Sequence, residues 1–167
     1  DFDDRVSLEI HNDLPESFLV EFADQVKSSG SGREYDCLIG ISGGVDSSYV
    51  AYLTKSLGLR PLAIHLDNGW NSELATANIE NLCDKLDIDL ETTVLDWKEF
   101  RDIQRSFLQS SISNVEIPTD HAIWAILVKT AAKHGIKNII SGSNAANESI
   151  MPNSWLYGSK DSKIIKS

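Results

Sequence analysis

A seven-residue string, SGGVDSS, begins at Ser42 and holds the groups best suited to binding a polyanion. Gly43 and Gly44 permit positive φ and close backbone approach, so successive N–H groups can turn toward one anion. The hydroxyls of Ser42, Ser47 and Ser48 extend this set of donors. A helix that follows such a loop adds its N-terminal dipole, worth about 0.3–1 kcal/mol per negative charge. The string therefore predicts a phosphate-binding loop.

The same string has a less specific interpretation as a simple turn. A strand-to-helix turn in which Asp46 or Ser47 only caps the helix uses the same residue types. Two common phosphate motifs do not describe the string, because it lacks both the Gly-Lys-Ser/Thr ending of a Walker A loop and the Gly-x-Gly-x-x-Gly spacing of a dinucleotide fingerprint. We therefore expect a phosphate loop of another kind.

Polar residues also follow two other apolar runs that predict strands. Asp67 directly follows the run 61–66, where it is placed for a contact with a ribose or a metal. A solvated aspartate in an Asn-Gly turn gives the same pattern. A later loop starts at Gly142, contains Asn144 and ends at Glu148. Gly142 and Asn144 are candidate nucleotide contacts, and the Glu148 carboxylate falls on the same, ligand side of the predicted sheet. The alternative for this loop is that it only caps a helix.

Thr119 and Asp120 stand at the start of an apolar helical pattern. Either side chain can cap that helix, and we assign Asp120, together with Asp46, as a candidate catalytic residue. His134 falls in the last turn of the same pattern, where the dipole favours a cation, and we expect a structural role for it. None of the four histidines has the spacing to a cysteine that a zinc site needs.

Composition limits the class of protein. The 167-residue chain is 41% apolar, and its 15 Lys+Arg against 25 Asp+Glu give a net charge of −10. An acidic surface repels phosphate backbones and anionic lipids, so we expect neither a nucleic-acid nor a membrane partner. The longest apolar run, Ala122–Val128, is far shorter than the roughly 18 residues of a membrane span. Cys37 and Cys83 lie in apolar patterns, which favours buried thiols in a reducing cytoplasm.

Apolar periodicity predicts the elements that must position these residues. Short apolar runs predict four strands, at 37–41, 61–66, 90–95 and 136–141. Apolar residues at helical spacing predict five helices, near 15–28, 50–57, 75–86, 97–107 and 119–134. We expect Thr119 or Asp120 to cap the last helix and Gly135 to end it. Strands that alternate with helices indicate an α/β fold, a doubly wound parallel sheet with helices on both faces.

The string SGGVDSS resembles the SGGxDS loop of the N-type ATP pyrophosphatases, the PP-loop superfamily, whose fold is the Rossmann-like adenine nucleotide alpha hydrolase fold. The resemblance implies that the loop, Val45 included, grips the β- and γ-phosphates of ATP and that ATP is cleaved between its α- and β-phosphates. It also implies that Asp46 helps to hold Mg²⁺, with Glu148 as a second ligand. In the same superfamily, main-chain groups of the second strand recognise adenine, which here implies Ile64, His65 and Leu66.

Longer segments narrow the resemblance. HLDNGWNSELA and IPTDHAIWA, together with the neighbouring segments of residues 34–167, are similar to the N-acetyl sugar amidotransferases of lipopolysaccharide O-antigen and flagellin-sugar biosynthesis. This likeness implies that an acetamido group on a nucleotide-activated N-acetyl sugar is adenylated and that ammonia then displaces AMP. It implies ATP and Mg²⁺ as cofactors and two protein partners, a separate glutaminase and a cyclase-like ammonia-channel subunit. A homo-oligomer is left open.

Two other functions fit the loop. One is another adenylating enzyme of the superfamily, such as a tRNA-modifying thiolase, a lysidine synthetase or a deazaguanine synthase. The net charge disfavours a tRNA substrate. The sequence also lacks the cysteine cluster that a deazaguanine synthase would require. The other is an ATP-binding sensor module without chemistry. We divide the chain into an acidic arm and helix at 1–33, a PP-loop domain at 34–150, and the start of a further region at 151–167. Because the only methionine is Met151, we expect the sequence to be an excerpt.

Overall fold

The computed structural model describes residues 15, 17–111 and 114–143. In chain order its elements are α1 Ser17–Ser29, β1 Cys37–Gly40, α2 Val45–Ser56, β2 Pro61–Asp67, α3 Glu73–Leu86, β3 Asp89–Val94, α4 Trp97–Gln109, α5 Ile117–His134 and β4 Ile139–Ile140. The predicted acidic arm, Asn144, Glu148 and the region 151–167 lie outside the described residues. The three-part division of the chain stays a prediction.

The four strands form one parallel sheet in the order β3-β2-β1-β4. The chain steps outward from β1 to β2 and β3, and then crosses to the other side of β1 for β4. The carboxyl ends of β1 and β4 therefore flank a topological switch point, the place where open α/β sheets bind ligands. The phosphate-loop string follows β1 directly, so it lies at this point.

Helices cover both faces of the sheet, as predicted. The side chains of β1 alternate, so that Leu38 and Ile39 enter two different cores and both are fully buried. On one face Ile39 packs with residues of α2 and α3, including Ala51 and Ile79. On the other face Leu38 packs with Leu127 of α5. The doubly wound α/β fold is confirmed, and both faces of β1 are dry because helices lie on each side.

Two boundary predictions are wrong, both at α5. The helix begins at Ile117 with Glu116 at its N-cap position, so Thr119 and Asp120 lie inside the first turn and do not cap it. The next strand is two residues long rather than six. Gly135 ends the helix with φ +67, and the Ile136 N–H donates to the Ala131 carbonyl at 2.8 Å. That N–H closes the helix and so is lost to the sheet.

An ion pair joins β2 to the turn before β1, at the end of the sheet away from the switch point. The Asp36 carboxylate is almost fully buried and accepts from the Arg60 guanidinium at 2.6 and 3.1 Å and from the Arg60 backbone N–H at 2.9 Å. Burial alone would raise the pKa of Asp36, but the hydrogen bonds from Arg60 outweigh it and lower that pKa.

His134 has the structural role expected of it. Its Nε2 lies 2.8 Å from Glu91 Oε1, so α5 is tied to β3. Burial would raise the pKa of Glu91, but hydrogen bonds from Lys133 and His134 lower it. Within the part of the chain that the structure describes, no helix combines the length and hydropathy needed to cross a bilayer.

Candidate functional site

The loop between β1 and α2, residues 41–44, requires glycine at position 43. Gly43 has φ +78, a conformation that residues with a side chain rarely adopt. A Cβ at this position would lie 2.7 Å from the Ala75 carbonyl oxygen of α3. The loop backbone is therefore pressed against α3, which fixes its path.

The start of α2 lacks the side-chain cap on which the alternative interpretation of this string depends. Gly44 is the N-cap residue, and no side chain caps the helix. Ser47 Oγ and Ser48 Oγ each lie within hydrogen-bond distance of the Gly44 carbonyl, at 3.1 and 2.8 Å, so they are directed at the backbone behind the helix start. Asp46 and Ser47 are thus not caps. The first-turn N–H groups of α2 carry the positive end of the dipole and face the loop.

The serine hydroxyls also hold the loop to the helix. The Ser42 N–H donates to Ser47 Oγ at 3.2 Å, and the two serine hydroxyls are 3.2 Å apart. On the opposite side, a Cβ at Gly142 would lie 3.2 Å from the backbone of Asp46 and Ser47. The chain after β4 thus passes close against the first turn of α2, and a side chain at Gly142 would require that turn to shift by a few tenths of an ångström.

A cavity of about 520 Å³, here called the switch-point cavity, opens between these elements. The loop and the ends of β2 and β4 form its polar side. The first three turns of α5 form the facing wall. Its volume falls within the roughly 300–1,000 Å³ typical of small-molecule sites.

The structure brings most of the predicted site residues to this cavity. The lining includes Ser42, Gly44, Val45, Asp46, Ser47, Ile64, His65, Leu66, Asp120 and Gly142. The two candidate catalytic carboxylates, from α2 and α5, are therefore on the same cavity. β1 pairs with β2 only as far as Ile64, so the main chain of β2 beyond that residue extends along the cavity without β1 beside it. That arrangement leaves room for the predicted adenine contacts.

Three predicted residues are placed elsewhere. Gly43 and Ser48 line a second, more open cavity of about 420 Å³ between the loop and α3. Asp67 does not line the switch-point cavity. Its Oδ1 accepts from the Gly69 N–H at 2.9 Å and from Asn71 Nδ2 at 3.2 Å, as in the turn that was the alternative for it.

Residues of the cavity wall that sequence reasoning missed include Asn68, Asn71, Ile123 and Trp124. Ile123 and Trp124 follow Asp120 at helical spacing, and their exposed fractions are 37% and 42%. The spacing that predicted a core-facing helix was itself the signal for them. Periodicity alone does not distinguish a face that packs in the core from one that lines a cavity.

The residues present suit a magnesium–nucleotide ligand. Backbone N–H groups on the loop side are donors for phosphate oxygens, whereas the Ser47 and Ser48 hydroxyls, predicted as further donors, are directed at the Gly44 carbonyl. The Asp46 carboxylate offers the oxygen ligand that Mg²⁺ requires. On the α5 side, Thr119 Oγ1 is buried and has no hydrogen-bond partner among the described residues, although Thr119 borders the cavity. A polar ligand atom would satisfy this hydroxyl.

The cysteines do not take part in the site. Both are buried, as predicted. Burial raises the pKa of Cys37 to about 12 and also raises the pKa of Cys83. Because the thiolate is the nucleophilic form, neither sulfur is activated for covalent catalysis at neutral pH.

The fold and loop define a PP-loop protein of the adenine nucleotide alpha hydrolase type. A family model described as "NAD synthase" matches residues 18–151, which is most of the chain. The chain belongs to the NAD synthase family.

Solved structures of other proteins share the fold of this chain. The structure of the glutamine-dependent NAD+ synthetase from Acinetobacter baumannii with ADP superposes with a TM-score of 0.62 at 18% identity, covering 79% of this chain and 26% of that one. The NH3-dependent NAD synthetase from Campylobacter jejuni superposes with a TM-score of 0.56 at 18% identity, covering 79% and 58%. At these identities the likeness shows the fold.

A curated relative at higher identity matches a shorter stretch. The tRNA-specific 2-thiouridylase of Hahella chejuensis is 41% identical over 69 residues, which are 36% of this chain and 19% of that protein. The chain thus spans about a fifth of this curated relative.

Proposed function

We propose that this chain is the ATP-cleaving part of an amidotransferase that converts the acetamido group of a nucleotide-activated N-acetyl sugar into an acetamidino group. One observation carries the proposal. The two segments that resemble the sugar amidotransferases, 65–75 and 117–125, are far apart in the sequence, yet both contribute walls to the switch-point cavity beside the phosphate loop. Residues that distinguish one acceptor from another must lie at such a place.

The proposed chemistry has two steps. The acetamido oxygen attacks the α-phosphorus of ATP, the bond to the bridging oxygen of the β-phosphate breaks, and pyrophosphate leaves. Ammonia then adds to the imidate carbon, the carbon–oxygen bond breaks, AMP leaves and one proton is lost. The first step makes the amide oxygen a good leaving group, and catalysis then depends on positioning and charge stabilisation.

Each part of the cavity has a role in this scheme. The loop N–H groups and the α2 dipole hold the phosphates and stabilise the charge that develops on pyrophosphate. Asp46 would hold Mg²⁺, which offsets the phosphate charge beside an acidic protein. Asp120 faces the reacting centre from α5 and accepts the proton that the ammonia nitrogen loses. The similarity in fold to the NH3-dependent NAD synthetase from Campylobacter jejuni supports ammonia as the nucleophile.

The proposal extends to partners and compartment. Ammonia would come from a separate glutaminase through a cyclase-like channel subunit, since neither cysteine is fit to act as a glutaminase nucleophile. The product would serve lipopolysaccharide or flagellin-sugar biosynthesis, which starts from nucleotide sugars in the cytoplasm. The proposal leaves a homo-oligomer open, and a sizing experiment on the protein would detect one.

The test is an incubation of the protein, in its natural length, with Mg-ATP, ammonium and a panel of UDP-N-acetyl sugars, followed by phosphorus NMR. AMP and pyrophosphate that form only with one sugar would support the proposal and identify the acceptor. ADP and phosphate, or tight ATP binding with no dependence on any sugar, would refute it. The Asp46→Asn variant is the control for cleavage at this site.

A second candidate is tRNA modification, which the 41% identity to the thiouridylase favours. The net charge of −10 argues against it, because the chain would have to hold a polyanion. Unmodified tRNA therefore belongs in the same panel. AMP release that depends on tRNA and not on sugar would replace the proposed acceptor while leaving ATP cleavage in place.

A further inference from the structure

The side chain of His65 faces away from the switch-point cavity although its main chain lines it. Side chains alternate along β2, so Ile64 enters the core beneath α5 while His65 points to the opposite face, toward α2 and α3. The imidazole is 5% exposed, which is unusual for a polar ring unless both nitrogens are satisfied. The next question is what it contacts.

The two ring nitrogens join the root of the phosphate loop to the loop after β2. Nδ1 lies 3.1 Å from the carbonyl oxygen of Ile41, the residue just before the phosphate loop. Nε2 lies 3.3 Å from Nδ2 of Asn71. A carbonyl can only accept, so Nδ1 carries the proton, and Nε2 then accepts from the Asn71 amide. Both ring nitrogens thereby have a hydrogen-bond partner.

Asn71 continues the connection to the end of β2. Its Nδ2 lies 3.3 Å from the Leu66 carbonyl and 3.2 Å from Asp67 Oδ1. Together with the imidazole nitrogen these are three acceptors, so the NH₂ group and not the amide oxygen faces them, and its two hydrogens are shared among the three. A continuous hydrogen-bonded path therefore runs from Ile41 through His65 and Asn71 to the last residues of β2.

We infer that His65 and Asn71 are positioning residues that hold the phosphate loop and the carboxyl end of β2 at a fixed separation. The last backbone hydrogen bond between the two segments is that from the Ile41 N–H to the Ile64 carbonyl, at 2.9 Å, so the sheet itself does not brace them beyond Ile41 and Ile64. The inference rests on the proposed ATP site, in which one segment receives the phosphates and the other the base. A ligand that contacts both benefits from a preset spacing, because it pays no ordering cost on binding.

This arrangement predicts that breaking the hydrogen bonds weakens the binding of ATP, which contacts both segments, more than the binding of adenosine or tripolyphosphate, which each contact one. His65→Leu removes both hydrogen bonds of the imidazole. Asn71→Ala removes the hydrogen bonds from the Asn71 amide to His65 and to the end of β2, and because Asn71 is exposed the variant should fold. ATP affinity should fall about tenfold in each variant, while the affinities for adenosine and for inorganic tripolyphosphate change less than about twofold. His65→Asn retains a donor near Nδ1 and should recover part of the loss.

The experiment measures dissociation constants for the three ligands by calorimetry and ligand-observed NMR, together with melting temperatures. His134→Gln is the matched control, a hydrogen-bonded histidine at the far end of the sheet, and should leave all three affinities unchanged. Equal losses for ATP and tripolyphosphate, or no loss in Asn71→Ala, would overturn the inference. If His65→Leu fails to fold, Asn71→Ala decides alone. Wild-type protein that binds ATP but never forms AMP would refute the proposed function and leave this inference standing.

Discussion

Replacing Gly43 by alanine tests whether the phosphate loop is built as described. The substitution imposes two costs. A left-handed conformation at φ +78 costs a residue with a Cβ about 1–2 kcal/mol. The new methyl group would also meet the Ala75 carbonyl oxygen at 2.7 Å, and overpacking of this kind adds about 1–3 kcal/mol. We therefore expect a loss of about 2–5 kcal/mol in the free energy of unfolding.

Gly32 provides a matched control for the conformational part. It has φ +76, but a Cβ there would find no atom within 4 Å, so Gly32→Ala should cost only the first of the two contributions. Urea denaturation of both variants gives the difference, and calorimetric titration gives their ATP affinities. Gly43→Ala should lose ATP binding, because the displaced loop no longer directs its N–H groups to one point, while Gly32→Ala binds normally. Equal stability losses would show that the loop does not press on α3, and unchanged ATP binding in Gly43→Ala would refute the loop assignment.

Three further perturbations probe other parts of the molecule. Arg60→Ala removes the guanidinium that pairs with the buried Asp36 carboxylate and should lower the free energy of unfolding at pH 7 in urea denaturation. Because the pKa of Asp36 lies below its ordinary 3.8 in the fold, the stabilisation is present above that pH and fades as the pH falls below it, so wild type and Arg60→Ala should converge in acid. Asp46→Asn should abolish AMP formation with an unchanged circular dichroism spectrum; full activity would remove the metal assignment. Trp124→Ala should raise the acceptor KM about threefold to tenfold, whereas Val128→Ala, one turn along α5 and outside the cavity lining, should not.

The features that sequence predicted well are those fixed by neighbouring residues. The phosphate loop follows from two glycines next to a buried apolar run, and the order of strands and helices follows from periodicity. The first turn of α5 was predicted less well. Thr119 and Asp120 are good capping residues, but Pro118 suits a helical first turn and the helix begins before it. The local preferences of these residues are thus compatible with two helix starts, one capped by Thr119 or Asp120 and one that begins before Pro118.

The features that sequence did not predict depend on contacts between segments. Whether Trp124 faces a core or a cavity is decided by how far β2 and β4 extend beneath it. The contact between His65 and Asn71 spans a strand end and a loop, and no spacing rule connects such positions. Asp67 shows the same limit. Whether its carboxylate contacts a ligand or accepts hydrogen bonds within the turn depends on where Asn71 lies.

The two buried thiols have a consequence for the motions of the fold. Cys37 is packed with Ala23 and Val26 beneath α1, whereas Cys83 belongs to the core formed by α2 and α3. A thiol reagent in water can reach each sulfur only when its own cluster opens. Comparing the two alkylation rates in the native protein would therefore give separate opening free energies for the α1 layer and for the layer that supports the phosphate loop. The protein thus carries two internal reporters of local unfolding on one face of a single sheet.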